Sequence, residues 1–267
     1  MAHRTWRTAA PTAAGLSLLT SQVLRAARRT DIPSLTNQDP SGTFGDPSLP
    51  TLHIVLLGDS SITAPGVEPL DDAWPRRAGR RLSDRYHVEM ESVAVGGSKA
   101  RDVLSGQVER ALVLEPDIAI VSVGANDALR ATPVTRYEQE MTEILGRLAG
   151  GIAGVGVSGI GDLGTLPRLP SLARGVARVR SRAFDRAVAR AAAHHPGVVK
   201  GAAWGGGWRL FAEGDPAEVF AADLFHASGV GHAVFAGAFE PVIDELIRRR
   251  ESQDRCPPGV EVSGPAT

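Results

Sequence analysis

Residues Leu52 to Gly66 read LHIVLLGDSSITAPG, an unbroken apolar run from Ile54 to Leu57 that halts on Gly58-Asp59-Ser60. A short run bounded by turn residues reads as a strand buried on both faces, and such strands belong to parallel sheets covered by helices on either side. Ser60 then falls just beyond the carboxyl end of a strand. In open α/β sheets that end forms a crevice rich in exposed backbone N–H groups, where ligands and reactive side chains collect. A serine there can serve as a nucleophile if the chain supplies a base, an acid to orient it and donors for a developing oxyanion.

The remainder alternates in the way a parallel sheet requires. Asp72 to Leu82 reads as a helix with Pro75 near its start, and Tyr86 to Val95 as a strand. Ala100 to Leu114 carries Val103, Leu104, Val108 and Leu112 at helical spacing, and Asp117 to Val123 is a second buried strand ending in Gly124-Ala125-Asn126-Asp127. Tyr137 to Leu148 is helical and Val155 to Ile160 is a glycine-rich strand. Ser171 to His194 is a long helix, Val198-Val199 a short last strand, and Ser228 to Arg250 the closing helix. Alternating strands and helices predict βαβ units stacked as a three-layer α/β/α sandwich with a mainly parallel sheet.

At 267 residues, with 43% hydrophobic and 22% charged, the chain suits one large domain over residues 51–250 rather than two. A net charge of -1 gives no electrostatic case for a nucleic-acid partner, and the Cys and His spacing fits no zinc site. The one cysteine, Cys256, suits a reducing, cytoplasmic setting without excluding export. The ends are read separately. In residues 1–30, Arg4 and Arg7 precede an uncharged run from Thr8 to Leu24 that Arg25, Arg28 and Arg29 follow, which leaves open an anchor or export signal and a plain surface segment. Residues 31–50, with Pro33, Pro40, Pro47 and Pro50, read as a linker without helix or sheet, and residues 251–267 as a disordered tail.

Candidate partners for Ser60 can be named. Asp223-Leu224-Phe225-His226 sets a carboxylate and an imidazole three residues apart before the last helix, so one turn can place the acid against one ring nitrogen and leave the other free. Asn126 ends a neighbouring strand, and its amide can donate to an oxyanion, as can the N–H groups of Ser60 and Gly97. GDS at 58–60, Gly97 in VAVGGSKARDVL, GAND at 124–127 and DLFH at 223–226 follow one another in the order and spacing of the SGNH, or GDSL-type, hydrolases. Residues 51–250 resemble that family throughout, with Gly161 to Arg186 similar to its actinobacterial-type members. The resemblance implies a flavodoxin-like fold with Ser60 as nucleophile and donor, Gly97 and Asn126 as further donors, His226 as base, Asp223 as its partner and Asp59 as the residue steadying the serine turn. It also implies hydrolysis of acyl-lipid or acetylated-carbohydrate esters with no metal or cofactor; acyl transfer, or a silent lipid- or glycan-binding module, are the alternatives. Two positions depart from the family: Ala64 stands where many members have glycine, and Ala227 where the residue after the histidine is usually proline.

Other patterns carry less. Gly154-x-Gly156-x-x-Gly159 matches a dinucleotide fingerprint but follows a helix, where the motif needs a strand before it and a helix after. His194-His195 suits a helix C-terminus, and Trp204-Gly-Gly-Gly-Trp208 reads either as a mobile lid or as a loop packed on the core. Arg174, Arg178, Arg182, Arg186 and Arg190 form a basic stripe, roughly opposite Leu172, Val176, Val179 and Phe184. It is either a solvated face or a surface for anionic lipid or an acidic partner. No Gly-x-Ser-x-Gly elbow occurs, which argues against the α/β-hydrolase fold proper.

Overall fold

The computed structural model describes residues 33–255, so the arginine-flanked run at the start and Cys256 lie outside the described residues. Among these, β1 (Gly42–Phe44), β2 (Thr51–Gly58), β3 (His87–Ser92), β4 (Ile118–Ser122), β5 (Gly154–Val157) and β6 (Val198–Lys200) form one sheet in the order β1-β3-β2-β4-β5-β6. β1 runs antiparallel to β3, and every other pair is parallel. The chain steps from β2 outward to β3 and then back across β2 to β4. That reversal opens a crevice beyond the carboxyl ends of β2 and β4, where an open α/β sheet binds its ligands.

Helices cover both faces: α1 (Ser60–Thr63), α2 (Trp74–Leu82), α3 (Ala100–Gly106), α4 (Val108–Val113), α5 (Ala125–Leu129), α6 (Val134–Ala149), α7 (Ser171–Ala193), α8 (Leu210–Glu213), α9 (Pro216–Val219) and α10 (Gly229–Arg255). Successive side chains of a strand point to opposite faces. In β2, Val55 and Leu57 therefore pack with Val103 of α3, Val108 of α4, Met141 of α6 and Phe184 of α7, while Ile54 and Leu56 pack with Trp74 of α2 and Phe239 of α10. Trp74 and Phe239 stack at 4.1 Å between ring centroids. Full burial of both strand faces is what made the apolar run continuous.

Three expectations need correction. Residues 31–50 are not a plain linker, because Gly42–Phe44 pairs with Val88 to Met90 as an edge strand. Three residues at a sheet edge leave little periodic signal, and the surrounding prolines conceal it. The helix over Ala100 to Leu114 divides at Gln107, whose side chain turns inward to bind Gly58. The closing helix continues to Arg255, past the tail boundary at 251, and Tyr86 Oη donates to Glu251 at 2.5 Å.

Candidate active site

Ser60 sits on a turn that several elements hold in place. Gly58 has φ +153°, and a Cβ there would lie 1.9 Å from the Ser122 carbonyl oxygen, so only glycine lets β2 approach β4 this closely before turning. The buried Gln107 amide closes the turn from below: its Oε1 accepts from Gly58 N at 2.8 Å and its Nε2 donates to Gly58 O at 3.0 Å. Asp59 is the N-cap of α1, accepting from Ser61 N at 2.9 Å. Ser60 is the first residue of that helix, so its own N–H has no helical carbonyl behind it. Ala64 closes α1 in the left-handed region at φ 44°, the conformation glycine enters most easily. From the N-terminal side, Thr63 Oγ1 donates to Asn37 Oδ1 at 2.7 Å and Gln38 N donates to Thr63 O at 2.8 Å.

The second arm is the loop between α9 and α10. His226 Nδ1 lies 2.6 Å from Asp223 Oδ2, while Asp223 Oδ1 accepts from the N–H groups of Phe225 and His226, each at 3.0 Å. Burial pushes the Asp223 carboxyl up, but the hydrogen bonds and charge of His226 outweigh it and hold the group below its ordinary value. An ionised Asp223 on Nδ1 fixes the ring so that Nε2 is the nitrogen left for chemistry. The loop needs Leu224 at φ 56°, an outlier for a branched side chain, and two backbone bonds secure it: Leu224 N to Ala221 O at 2.8 Å and Arg168 N to Leu224 O at 3.1 Å.

Asn126 opens α5 beyond β4. Its Nδ2 donates to Ser98 O at 3.2 Å and to Asp59 Oδ2 at 3.4 Å, both long bonds that a stronger acceptor could take over. Desolvation raises the Asp59 carboxyl above its ordinary value, against the pull of the Ser61 N–H and the Asn126 amide. Gly97 occupies the β3–α3 loop at φ +81°, and the buried Asp127 ties that loop to α5 by accepting from Ala100 N at 2.9 Å. Ser60, Asp59 and His226 border one cleft of about 400 Å³. Asn126 reaches the same turn through Asp59, while Gly97 is linked to it indirectly, through Asp127 and α5.

The sequence model of the GDSL-like Lipase/Acylhydrolase family matches residues 56–234, which include Ser60, Gly97, Asn126, Asp223 and His226. This chain belongs to that family. A GDSL-like esterase of Mycobacterium tuberculosis is 27% identical over 191 residues, which are 69% of this chain and 59% of that protein. Among solved structures, an alpha/beta hydrolase enzyme from the metagenome of Lake Arreo, Spain, is 20% identical with a TM-score of 0.60, over 74% of this chain and 97% of that one. The acetylxylan esterase Axe2 of Geobacillus stearothermophilus is 16% identical with a TM-score of 0.58, over 75% of this chain and 95% of that one. At those identities the two structures show a shared fold.

This GDSL-family cleft has an aromatic wall that the sequence did not single out as a unit. Trp208 lies 5.3 Å from Phe235 and 5.7 Å from Phe211, and Phe211 meets Phe220 edge-on at 5.5 Å, all four rings bordering the cleft. Trp204 and Trp208 pack rather than hang free: Arg182 lies over the Trp204 ring at 5.2 Å, and Trp208 Nε1 donates to Ala202 O at 3.1 Å. His232, also on the cleft, accepts from Trp74 N through Nδ1 at 3.2 Å, and burial lowers its pKa to about 3, so its ring is a neutral acceptor. The Gly154-x-Gly156-x-x-Gly159 spacing is explained by packing, since a Cβ on Gly156 would lie 2.7 Å from Ile120 and Val242, and one on Gly159 would lie 2.5 Å from Asp185. His194 caps α7, and His195 Nε2 lies 3.0 Å from Thr142 O. Gln107 and Asn37 had no sequence signal, because their roles depend on partners 49 and 26 residues away.

Proposed function

We propose that this protein is a serine ester hydrolase that works through Ser60, His226 and Asp223 and an acyl-enzyme, on esters whose acyl part is apolar. The observation that carries the reading is the His226 ring, held on the buried Asp223 at 2.6 Å and bordering the same cleft as Ser60. His226 Nε2 takes the Ser60 proton as Oγ attacks the acyl carbon, and the same proton passes to the departing alcohol as the tetrahedral adduct collapses. Water then attacks the acyl-Ser60 ester, giving its proton to His226, and the acid leaves as Oγ recovers that proton. The N–H groups of Ser60 and Gly97 and the Asn126 amide receive the oxyanion, and Asp59 keeps the turn in register.

The acyl preference is supported by the walls. Trp208, Phe211, Phe220, Phe225, Phe235 and Leu166 border the cleft, and about 400 Å³ is far more than an acetyl group fills. Labelling by a fluorophosphonate probe that Ser60→Ala abolishes, together with kcat/KM across p-nitrophenyl esters from acetyl to dodecanoyl, tests both parts. Rates that rise with chain length before falling agree with the reading, whereas equal labelling of Ser60→Ala or a maximum at acetyl refutes one part or the other. Product analysis with added alcohols separates hydrolysis from transfer to another acceptor.

A further inference from the structure

The outward face of α7 departs from the ordinary pattern of a surface helix. Its buried side is Ala177, Ser181, Phe184, Val188 and Ala191. Leu172, Val176 and Val179, expected opposite the arginines, instead point to solvent, at 48%, 52% and 69% exposure. Spacings of four and three residues put these three on one stripe of the helix, turned away from the core. No acidic residue occurs from Ser171 to Phe184, and Asp185 is engaged by Lys200 at 2.9 Å.

The arginines around this stripe divide into two groups. Arg178 is paired with Asp162 at 2.7 Å and Arg190 with Glu138 at 2.5 Å. Arg168, Arg182, Arg186 and Arg209 pair with no carboxylate among the described residues. Arg182 and Arg209 both border the cleft, one on α7 and one beside Trp208, and Leu210 next to Arg209 is 37% exposed. Apolar side chains turned to water and arginines without a carboxylate partner among the described residues thus share α7, whose Arg182 borders the cleft that holds Ser60.

We propose that this face of α7 seats on an anionic lipid surface, which presents the cleft mouth to an ester held in that surface. Three observations favour a lipid surface over a protein groove. The apolar residues are short and form a convex stripe along one helix, a shape that fits a flat surface. The helix carries no acidic side chain from Ser171 to Phe184, and Arg182 and Arg186 pair with no carboxylate among the described residues, which suits a sheet of anionic headgroups. Finally, the described chain starts at the same end of the sheet, with Leu35 against Gly66 and Asn37 against Gly96, on the side that carries the cleft.

The proposal rests on the cleft being an ester-hydrolase site, but its test reads binding alone. Full-length protein is sedimented with vesicles of phosphatidylcholine alone or mixed with phosphatidylglycerol, as wild type, as Val176→Asp/Val179→Asp and as Arg186→Glu. Both variants change exposed residues outside the cleft, so Tm and hydrolysis of a soluble short-chain ester should match wild type. Wild type should bind the anionic vesicles at least several-fold more tightly than the neutral ones, and less tightly in high salt. The double aspartate variant should lose most of that binding and Arg186→Glu a smaller share. Residues 1–32 are common to all three proteins, so any difference reports on α7. Variants that sediment as wild type does, or no preference for anionic vesicles, overturn the proposal. Self-association of wild type that the double variant abolishes, measured by light scattering, assigns the face to a second copy and overturns it too. Ser60→Ala that is inactive yet binds vesicles normally keeps the two readings apart.

Discussion

Replacing Asn126 with alanine separates a donor to the transition state from a mere turn residue. In the resting protein the Asn126 amide makes two weak bonds, to Ser98 O at 3.2 Å and to Asp59 Oδ2 at 3.4 Å. Removing it leaves a buried carbonyl and a buried carboxylate each short of one partner, which costs about 1–2 kcal/mol at such lengths. For a domain of this size that lowers Tm by roughly 2–8 °C. In catalysis the same amide is asked to hold the oxyanion, and deleting one donor of that kind lowers kcat by roughly 10²- to 10³-fold with little change in KM. The two effects differ in kind, because Tm reads the resting bonds and kcat the bond formed at the transition state. The assay is steady-state hydrolysis of a soluble ester beside a thermal melt, with Asn126→Ser as a shorter polar control. Should folded Asn126→Ala turn over at the wild-type rate, or lose only KM, the oxyanion role fails, whatever happens to stability.

Asp223→Asn should keep the fold but remove the charge that fixes the His226 tautomer, lowering kcat by roughly 10³- to 10⁴-fold, as for the comparable change in a serine protease triad; kcat within tenfold of wild type refutes that role. Gln107→Leu leaves both Gly58 backbone groups without their side-chain partner, so urea unfolding should show about 2–4 kcal/mol of lost stability together with weaker fluorophosphonate labelling of Ser60. Ala64→Gly should be close to neutral in a melt, since relieving a left-handed alanine by ~1–2 kcal/mol is offset by glycine's chain entropy and the loss of a buried methyl. His232 carries a pKa of about 3 in the fold and an ordinary imidazole value when unfolded, so its contribution is complete above about pH 6.5 and is lost as pH falls toward 3. The difference in stability between wild type and His232→Asn should therefore shrink by up to ~1.4 kcal/mol per pH unit through that window, and a constant difference refutes the assignment.

The Ser60 turn was legible in the sequence because everything that defines it is local: an apolar run long enough for a doubly buried strand, then Gly58, which alone tolerates the approach to Ser122, then Asp59 as a cap. The Asp223–His226 pair was legible for the same reason, since three residues of chain suffice to close that contact. The alternation of strands and helices likewise followed from their periods, and with it the parallel sheet. Tertiary structure decided what depends on distant partners. Gln107 leaves its helix to bind Gly58, a residue 49 positions away, and Gly42–Phe44 becomes a strand only because β3 offers it an edge. Sequence periodicity placed Leu172, Val176 and Val179 in the pattern of a helix, but which side of α7 meets the core was fixed by where β4, β5 and α6 stand, and that put these three residues in solvent. A local pattern fixes a backbone, whereas burial is a property of the whole packing and is settled only when every element has its neighbours.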